Sequence, residues 1–197
     1  LEIAKLARKK GLRNVVVSNG YVNREPLEEL YRHIDAANID LKGFTEELYQ
    51  KYCGARLKPI LEALINIKRM KVHLEVTNLI IQGLNDGPKI LKKMCEWHAK
   101  NLGDNTPLHF SRFFPSHLAM NIRPTPEPTL EMAYKTAKEA GLKYVYVGNI
   151  KTKDKENTYC PHCGSLVIER LIFDVVHNNI SNGKCQKCKT KIEGVWK

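Results

Sequence analysis

Five short apolar runs in the first 150 residues alternate with stretches of helical periodicity, and this alternation constrains the fold more than any single motif. The runs are Val15 to Val17, Ala37 to Leu41, Val72 to Ile81, Leu108 to Phe110 and Tyr144 to Val147. Residues 1–10 read as a helix, with Ile3, Leu6 and Ala7 on one face and Gly11 as its stop. Pro26 opens a second, carrying Leu27, Leu30, Tyr31 and Ile34. Thr45 can cap the next, with Glu46 and Glu47 in the favourable first turn and Gly54 after it. Pro59 starts another, with Ile60, Leu61, Leu64 and Ile67 inward, and Ile90, Leu91, Met94 and Trp97 mark a fifth. Thr129 to Ala140 is the last, closed by Gly141. Such alternation implies an α/β fold with parallel strands and right-handed crossovers, as an open sheet or part of a barrel. Val15-Val16-Val17 is continuous and β-branched, which suits a strand buried on both faces.

In parallel α/β proteins the C-terminal strand ends form the binding crevice, so the residues there are the candidates. Asp40 and Lys42 alternate with Ile39 and Leu41 at one such end. Residues two apart on a strand point to the same side, so a carboxylate and an ammonium share the floor of a ligand site. The first strand ends in Ser18-Asn19-Gly20, and the fourth runs into a loop rich in aromatic and polar groups, Ser111 to His117. Pro124, Pro126 and Pro128 stiffen the connection after it. The chain has no G-x-G-x-x-G and no Walker lysine loop, and so no signature for a dinucleotide or nucleoside triphosphate.

Composition bears on location and partners. Of the 197 residues 43% are hydrophobic, enough for a packed core, and no run approaches the ~20 apolar residues that span a bilayer. The charged opening segment is no signal peptide, and the expectation is a cytoplasmic protein with no membrane partner. The formal charge is +11, from 32 Lys and Arg against 21 Asp and Glu. Such a balance favours an anionic partner, or is a lysine-rich soluble surface of the kind thermophiles carry. The lysines are spread over many helices and form no block, so specific nucleic-acid binding is not expected.

Of six cysteines, Cys53 and Cys95 stand alone in helical patterns and read as buried small apolar residues. The other four form Cys160-Pro161-His162-Cys163 and Cys185-Gln186-Lys187-Cys188, with 21 residues between the pairs. Each C-x2-C turn lets two thiolates converge on one ion, and two turns supply a tetrahedral four-cysteine site that suits structural zinc. Iron in a rubredoxin-like site or an auxiliary iron–sulfur cluster is the alternative. Leu166-Val167-Ile168 and Leu171-Ile172-Phe173 are β-rich, and Asn182-Gly183 makes a turn before the second pair. The expected division is an α/β part over 1–150 and, after the charged stretch Lys151 to Asn157, a small four-cysteine ribbon over 157–197 that acts as a staple.

Taken together, these segments resemble the later strands of radical S-adenosylmethionine (radical SAM) enzymes. The likeness rests on Val15 to Gly20, Asp40-Leu41-Lys42, Leu79 to Gly83 with Asn85-Asp86, and Phe113-Phe114-Pro115-Ser116-His117, in that order. It is strongest to glycyl-radical-enzyme activases such as the pyruvate formate-lyase activating enzymes. The tail from Tyr159-Cys160-Pro161-His162-Cys163-Gly164 to Gly194-Val195-Trp196 resembles the radical SAM protein of the AmmeMemoRadiSam system. The resemblance implies the C-terminal part of a partial (β/α)6 barrel that binds S-adenosylmethionine and a [4Fe–4S] cluster. It implies reductive cleavage of that cofactor to a 5′-deoxyadenosyl radical, which abstracts hydrogen from a substrate, a protein glycine in the activases. It also implies an electron donor such as ferredoxin or flavodoxin.

Carried over residue by residue, the resemblance makes Ser18, Asn19, Asp40, Lys42, Thr77 and His117 cofactor-binding and Cys160, Cys163, Cys185 and Cys188 metal-binding. Thr77 stands where the activases carry a basic residue and Val17 where they carry an acid. The C-x3-C-x2-C loop that holds the cluster is absent, as are two strand–helix units, so the chain reads as a truncated, inactive second half with no catalytic residue of its own. The competing reading is a non-catalytic basic zinc-ribbon module that binds nucleic acid or protein.

Overall fold

The computed structural model describes residues 1–171 and 174–196. Helix α1 (Glu2–Lys9) precedes strand β1 (Val15–Ser18), and the chain then runs α2 (Arg24–Tyr31), β2 (Ala36–Asp40) and the short α3 (Glu46–Leu48). After α3 comes one π-helical turn, Tyr49–Cys53, then α4 (Leu57–Arg69), β3 (His73–Ile80), α5 (Pro88–Leu102), β4 (Leu108–Arg112), α6 (Glu127–Glu139) and β5 (Val145–Gly148). The five strands pair in parallel in the order β1-β2-β3-β4-β5. A strand order that never reverses puts every right-handed crossover on one face, which is a segment of a barrel wall. The core lies on that face: Ile39, Leu74, Val76, Phe110 and Val145 meet Leu27, Ile60, Leu64, Leu91, Met94 and Ala133 of the helices. At about 25 cal/mol per Å² of apolar surface removed from water, this contact is the main stabilising term.

The other face of the sheet is open and polar, because β3 alternates half-buried His73, Glu75, Thr77 and Leu79 with buried Leu74, Val76, Asn78 and Ile80. The strand register lays out rows across this face. One row reads Asp40, Thr77, His109, Tyr146, and the row below it reads Val17, Asn38, Glu75.

The structure corrects three expectations. Strand β1 is not buried on both faces: Val15 and Val17 are 64% and 77% exposed. It is the sheet's edge, and those two side chains project onto the open face. On α1 the apolar positions Ile3 and Leu6 are exposed as well, and Ala4 is its buried residue. Cys53 is exposed rather than buried, because its π-helical turn lies on the surface; Cys95 is fully buried.

The C-terminal residues form a three-stranded antiparallel sheet, β6 (Thr158–Tyr159), β7 (Leu166–Leu171) and β8 (Asp174–Asn178). A small hairpin of β9 (Ile180–Ser181) and β10 (Lys184–Cys185) follows, turned by Asn182 and Gly183 in the left-handed region. Of the run Leu171-Ile172-Phe173, Ile172 and Phe173 lie outside the described residues. A second hydrophobic cluster joins this part to the barrel, with Tyr144 and Tyr146 packed against Cys160, Val167, Cys185, Ile192 and Trp196. Lys155 of the charged stretch ion-pairs with Glu131 of α6 at 2.9 Å, and its carbonyl accepts from the Val147 N–H.

Candidate functional site

The strand ends are held by side chains that reach from one loop to the next. Asn85, 2% exposed, accepts from the Ile81 N–H and donates to the carbonyls of Lys42 and Leu79, at 2.7, 2.7 and 2.8 Å. Buried Asn78 donates to the Leu41 carbonyl, and the Lys42 N–H donates to the Tyr49 hydroxyl. A backbone anchored at three points on Leu41 and Lys42 holds Asp40 and Lys42 in place. Their side chains form an ion pair, Nζ to Oδ2 at 2.6 Å, half exposed at the edge of the open face. Thr77, next to Asp40 in the register, donates to Asn38 Oδ1 at 2.8 Å.

The remaining strand-end candidates stand differently. Ser18 pairs with Ile39 in the register, on the side opposite Val17, and its hydroxyl accepts from the Gly20 N–H. Asn19 Oδ1 accepts from the Tyr21 N–H. Both residues therefore shape the turn after β1. His117 starts a 3₁₀ turn (His117–Ala119) in the loop after β4, exposed, with no side-chain hydrogen bond among the described residues. That loop is fastened by Thr125, whose hydroxyl donates to the Ile80 carbonyl and accepts from the Phe113 N–H. Asp40, Lys42 and Thr77 are thus brought together. Ser18 and Asn19 lie at the same sheet edge but make local bonds, and His117 extends from the loop that follows the fourth strand.

The four cysteines converge. Their sulfur atoms all lie within 4.8 Å of one another, a group able to hold a metal ion. The two knuckles repeat one backbone pattern. In each, the first cysteine N–H donates to the carbonyl five residues on (Ser165, Thr190), and the N–H four residues on (Gly164, Lys189) returns to the cysteine carbonyl. Gly164 and Lys189 both take the left-handed conformation this turn requires. The Ser165 hydroxyl beside Cys163, 3.2 Å away, brings that thiol down to about 6, and the Thr190 hydroxyl does the same in direction for Cys188. Thiolate is the ligand form.

A third cluster was not identified from the sequence. Glu75 bridges His109 at 2.8 Å and His73 at 3.1 Å, and the other nitrogen of His73 faces Glu193 at 3.7 Å. Burial would raise the pKa of Glu75, but the two imidazoles outweigh it and hold the carboxyl well below the usual range. Burial likewise works against the His73 imidazolium, and the two carboxylates overcome it, placing His73 at about 9. His109 stacks on Tyr146, ring centroids 4.9 Å apart, and the Tyr146 hydroxyl meets Thr158 at 3.0 Å. The signal was present in part, as His73, Glu75 and Thr77 alternate on one strand. Glu193 and His109 come from distant segments and carried none.

No family model matches this chain. It is 44% identical over 190 residues to a protein of Methanocaldococcus jannaschii described as uncharacterized protein MJ0808. The match takes in 95% of this chain and 56% of that protein, so the chain spans little more than half the length of this relative. Among solved structures, a domain of pyruvate-formate lyase-activating enzyme from Bacteroides vulgatus superposes with a TM-score of 0.66 at 19% identity, over 75% of this chain and 88% of that one. A radical SAM methyltransferase from Sphaerobacter thermophilus gives 0.57 at 12% identity, over 80% and 46%. Streptococcus suis SuiB bound to S-adenosylmethionine gives 0.60 at 7% identity, over 75% and 36%. Identities this low carry the fold alone, the parallel α/β arrangement these structures share, which in this chain is followed by a small antiparallel four-cysteine module.

Proposed function

We propose that this chain is the C-terminal part of a radical SAM enzyme of the AmmeMemoRadiSam type, and that the open face of its sheet holds S-adenosylmethionine. The observation that carries the reading is the Asp40–Lys42 pair, fixed by Asn78, Asn85 and Tyr49 at the C-terminal edge of a sheet with this fold. The donor set fits the methionyl and ribose ends of that cofactor. A carboxylate accepts from an ammonium or a hydroxyl, and an ammonium donates to a carboxylate. Asp40 and Lys42 orient those polar groups, Thr77 adds a hydroxyl beside them, and the loop carrying His117 covers the ribose side.

The cysteines do not fit the cluster of such an enzyme. Cys53 and Cys95 are isolated, and the other four form a closed set in a separate module. The cluster ligands therefore belong to another part of the enzyme, and in that assembly the cluster would supply the electron that cleaves the sulfonium. For the four-cysteine group we assign zinc in a structural role, on the grounds of its four thiolates and the absence of an open ligand position. The partners in this reading are a ferredoxin or flavodoxin as electron donor and a hydrogen-donating substrate, either a protein glycine or a small molecule.

The test is a chimera in which this chain replaces the matched segment of the Methanocaldococcus protein, reconstituted anaerobically with iron and sulfide. On reduction it should yield 5′-deoxyadenosine and methionine in equal amounts, and Asp40→Ala should lower the yield at least tenfold while cluster content is kept. A chimera that takes up a cluster and produces neither compound overturns the reading.

A further inference from the structure

Arg170 lies on β7 of the four-cysteine module, yet its side chain meets the barrel. Its guanidinium stacks over Tyr146, 5.6 Å from the ring centroid. Nη1 donates to the Glu156 carbonyl and to the Thr158 hydroxyl, both at 2.9 Å. Nε and Nη2 make no hydrogen bond, and Arg170 makes no ion pair, among the described residues. A guanidinium left with two adjacent donors presents the fork that a carboxylate fills bidentately.

Arg170 lines a cavity of about 920 Å³ between the open sheet face and the module. Thr77 and His109 form part of its wall, so it begins one strand away from Asp40. Phe114 and Tyr146 supply aromatic surface, and Lys151 a second cation. Two carboxylates also line it. Glu75 is already engaged by two histidines, and Glu156 accepts from the N–H and hydroxyl of Thr152. With Glu75 offset by the cationic His73, Arg170 and Lys151 against Glu156 leave one net positive charge, which suits a monoanion, whereas a phosphate dianion would exceed it.

We propose that this cavity binds a carboxylate attached to an aromatic or other apolar body, with Arg170 as its anion-recognising residue, so that the four-cysteine module contributes the recognising group to a ligand site walled by the α/β part. The assignment of that ligand as the substrate rests on the cofactor reading above. The binding of a carboxylate does not.

The experiment is a calorimetric titration of the chain, without S-adenosylmethionine, using benzoate, benzamide, benzamidine and inorganic phosphate as probes. Benzoate should bind at least tenfold more tightly than benzamide and more tightly than phosphate, with no binding of benzamidine. Arg170→Gln should weaken benzoate at least tenfold. Arg170 also holds Glu156 and Thr158, so Lys151→Gln, at an exposed residue that makes no side-chain hydrogen bond or ion pair among the described residues, serves as the second variant and should weaken benzoate about threefold, as expected for one cation at the edge of a site. Equal affinity for benzoate and benzamide, tighter binding of phosphate or benzamidine, or benzoate binding unchanged in both variants would overturn the proposal. None of these results bears on cofactor binding at Asp40, so the two readings fail separately.

Discussion

His73 ties three parts of the chain together through one ring, since it sits on β3, meets Glu75 two residues on and faces Glu193 of the tail. Its pKa is near 9 in the folded protein and about 6.5 in an unfolded chain. A raised pKa contributes stability that is fully present below about pH 6.5 and is lost as pH rises through about 9. A proton-resolved titration of His73 should therefore show a midpoint near 9, and Glu193→Gln should lower it; an unchanged midpoint in that variant would show that the tail carboxylate does not act on the ring. The cluster illustrates what a sequence leaves hidden at this scale. Asp40 and Lys42 were legible because they stand two residues apart at the end of one strand. The Glu75–His109 and His73–Glu193 contacts join residues 34 and 120 positions apart, and only the sheet register and the tail path bring them together. Arg170 was hidden for another reason: it belongs to a module whose cysteines alone accounted for its existence.

Among the elements, strand–helix alternation was legible and its edges were less so. Pro26 and Pro59 read as helix starts, yet α2 begins at Arg24 and α4 at Leu57. Proline is tolerated in a first turn because the N–H it lacks has no partner there, so it marks the turn rather than the residue. The run Val15 to Val17 misled because a continuous apolar strand looks the same whether its far side is covered or bare. Its exposed edge and side chains form an unpaired template. The isolated chain should associate with rising concentration in sedimentation, and Val15→Lys with Val17→Lys should keep it monomeric at the same loading. The loops between elements carry their own test. Asn85→Ala removes three hydrogen bonds to part-buried backbone groups, so it should cost on the order of 3 kcal/mol in denaturant unfolding. A change under about 0.5 kcal/mol would mean the strand-end loops are held by other contacts.

At the scale of the whole molecule the module and the barrel share surfaces, since Tyr144 and Tyr146 pack with the cysteine knuckles and the Glu193 N–H donates to the Tyr144 hydroxyl. Cys163→Ser should release the metal and unfold residues 158–196 while the helical circular dichroism of the α/β part persists. Full retention of module structure without metal would contradict a structural role for it. Elemental analysis of the unaltered protein should find about one zinc per chain, and iron with sulfide would replace that assignment. Whether the open sheet face holds S-adenosylmethionine is decided by a residue-resolved nuclear magnetic resonance titration of the chain with that cofactor. Saturable shifts should centre on Asp40, Lys42 and Thr77, extend to the loop of His117 and be lost in Asp40→Ala. Binding that shifts other surfaces and leaves these strand ends unmoved would contradict the reading.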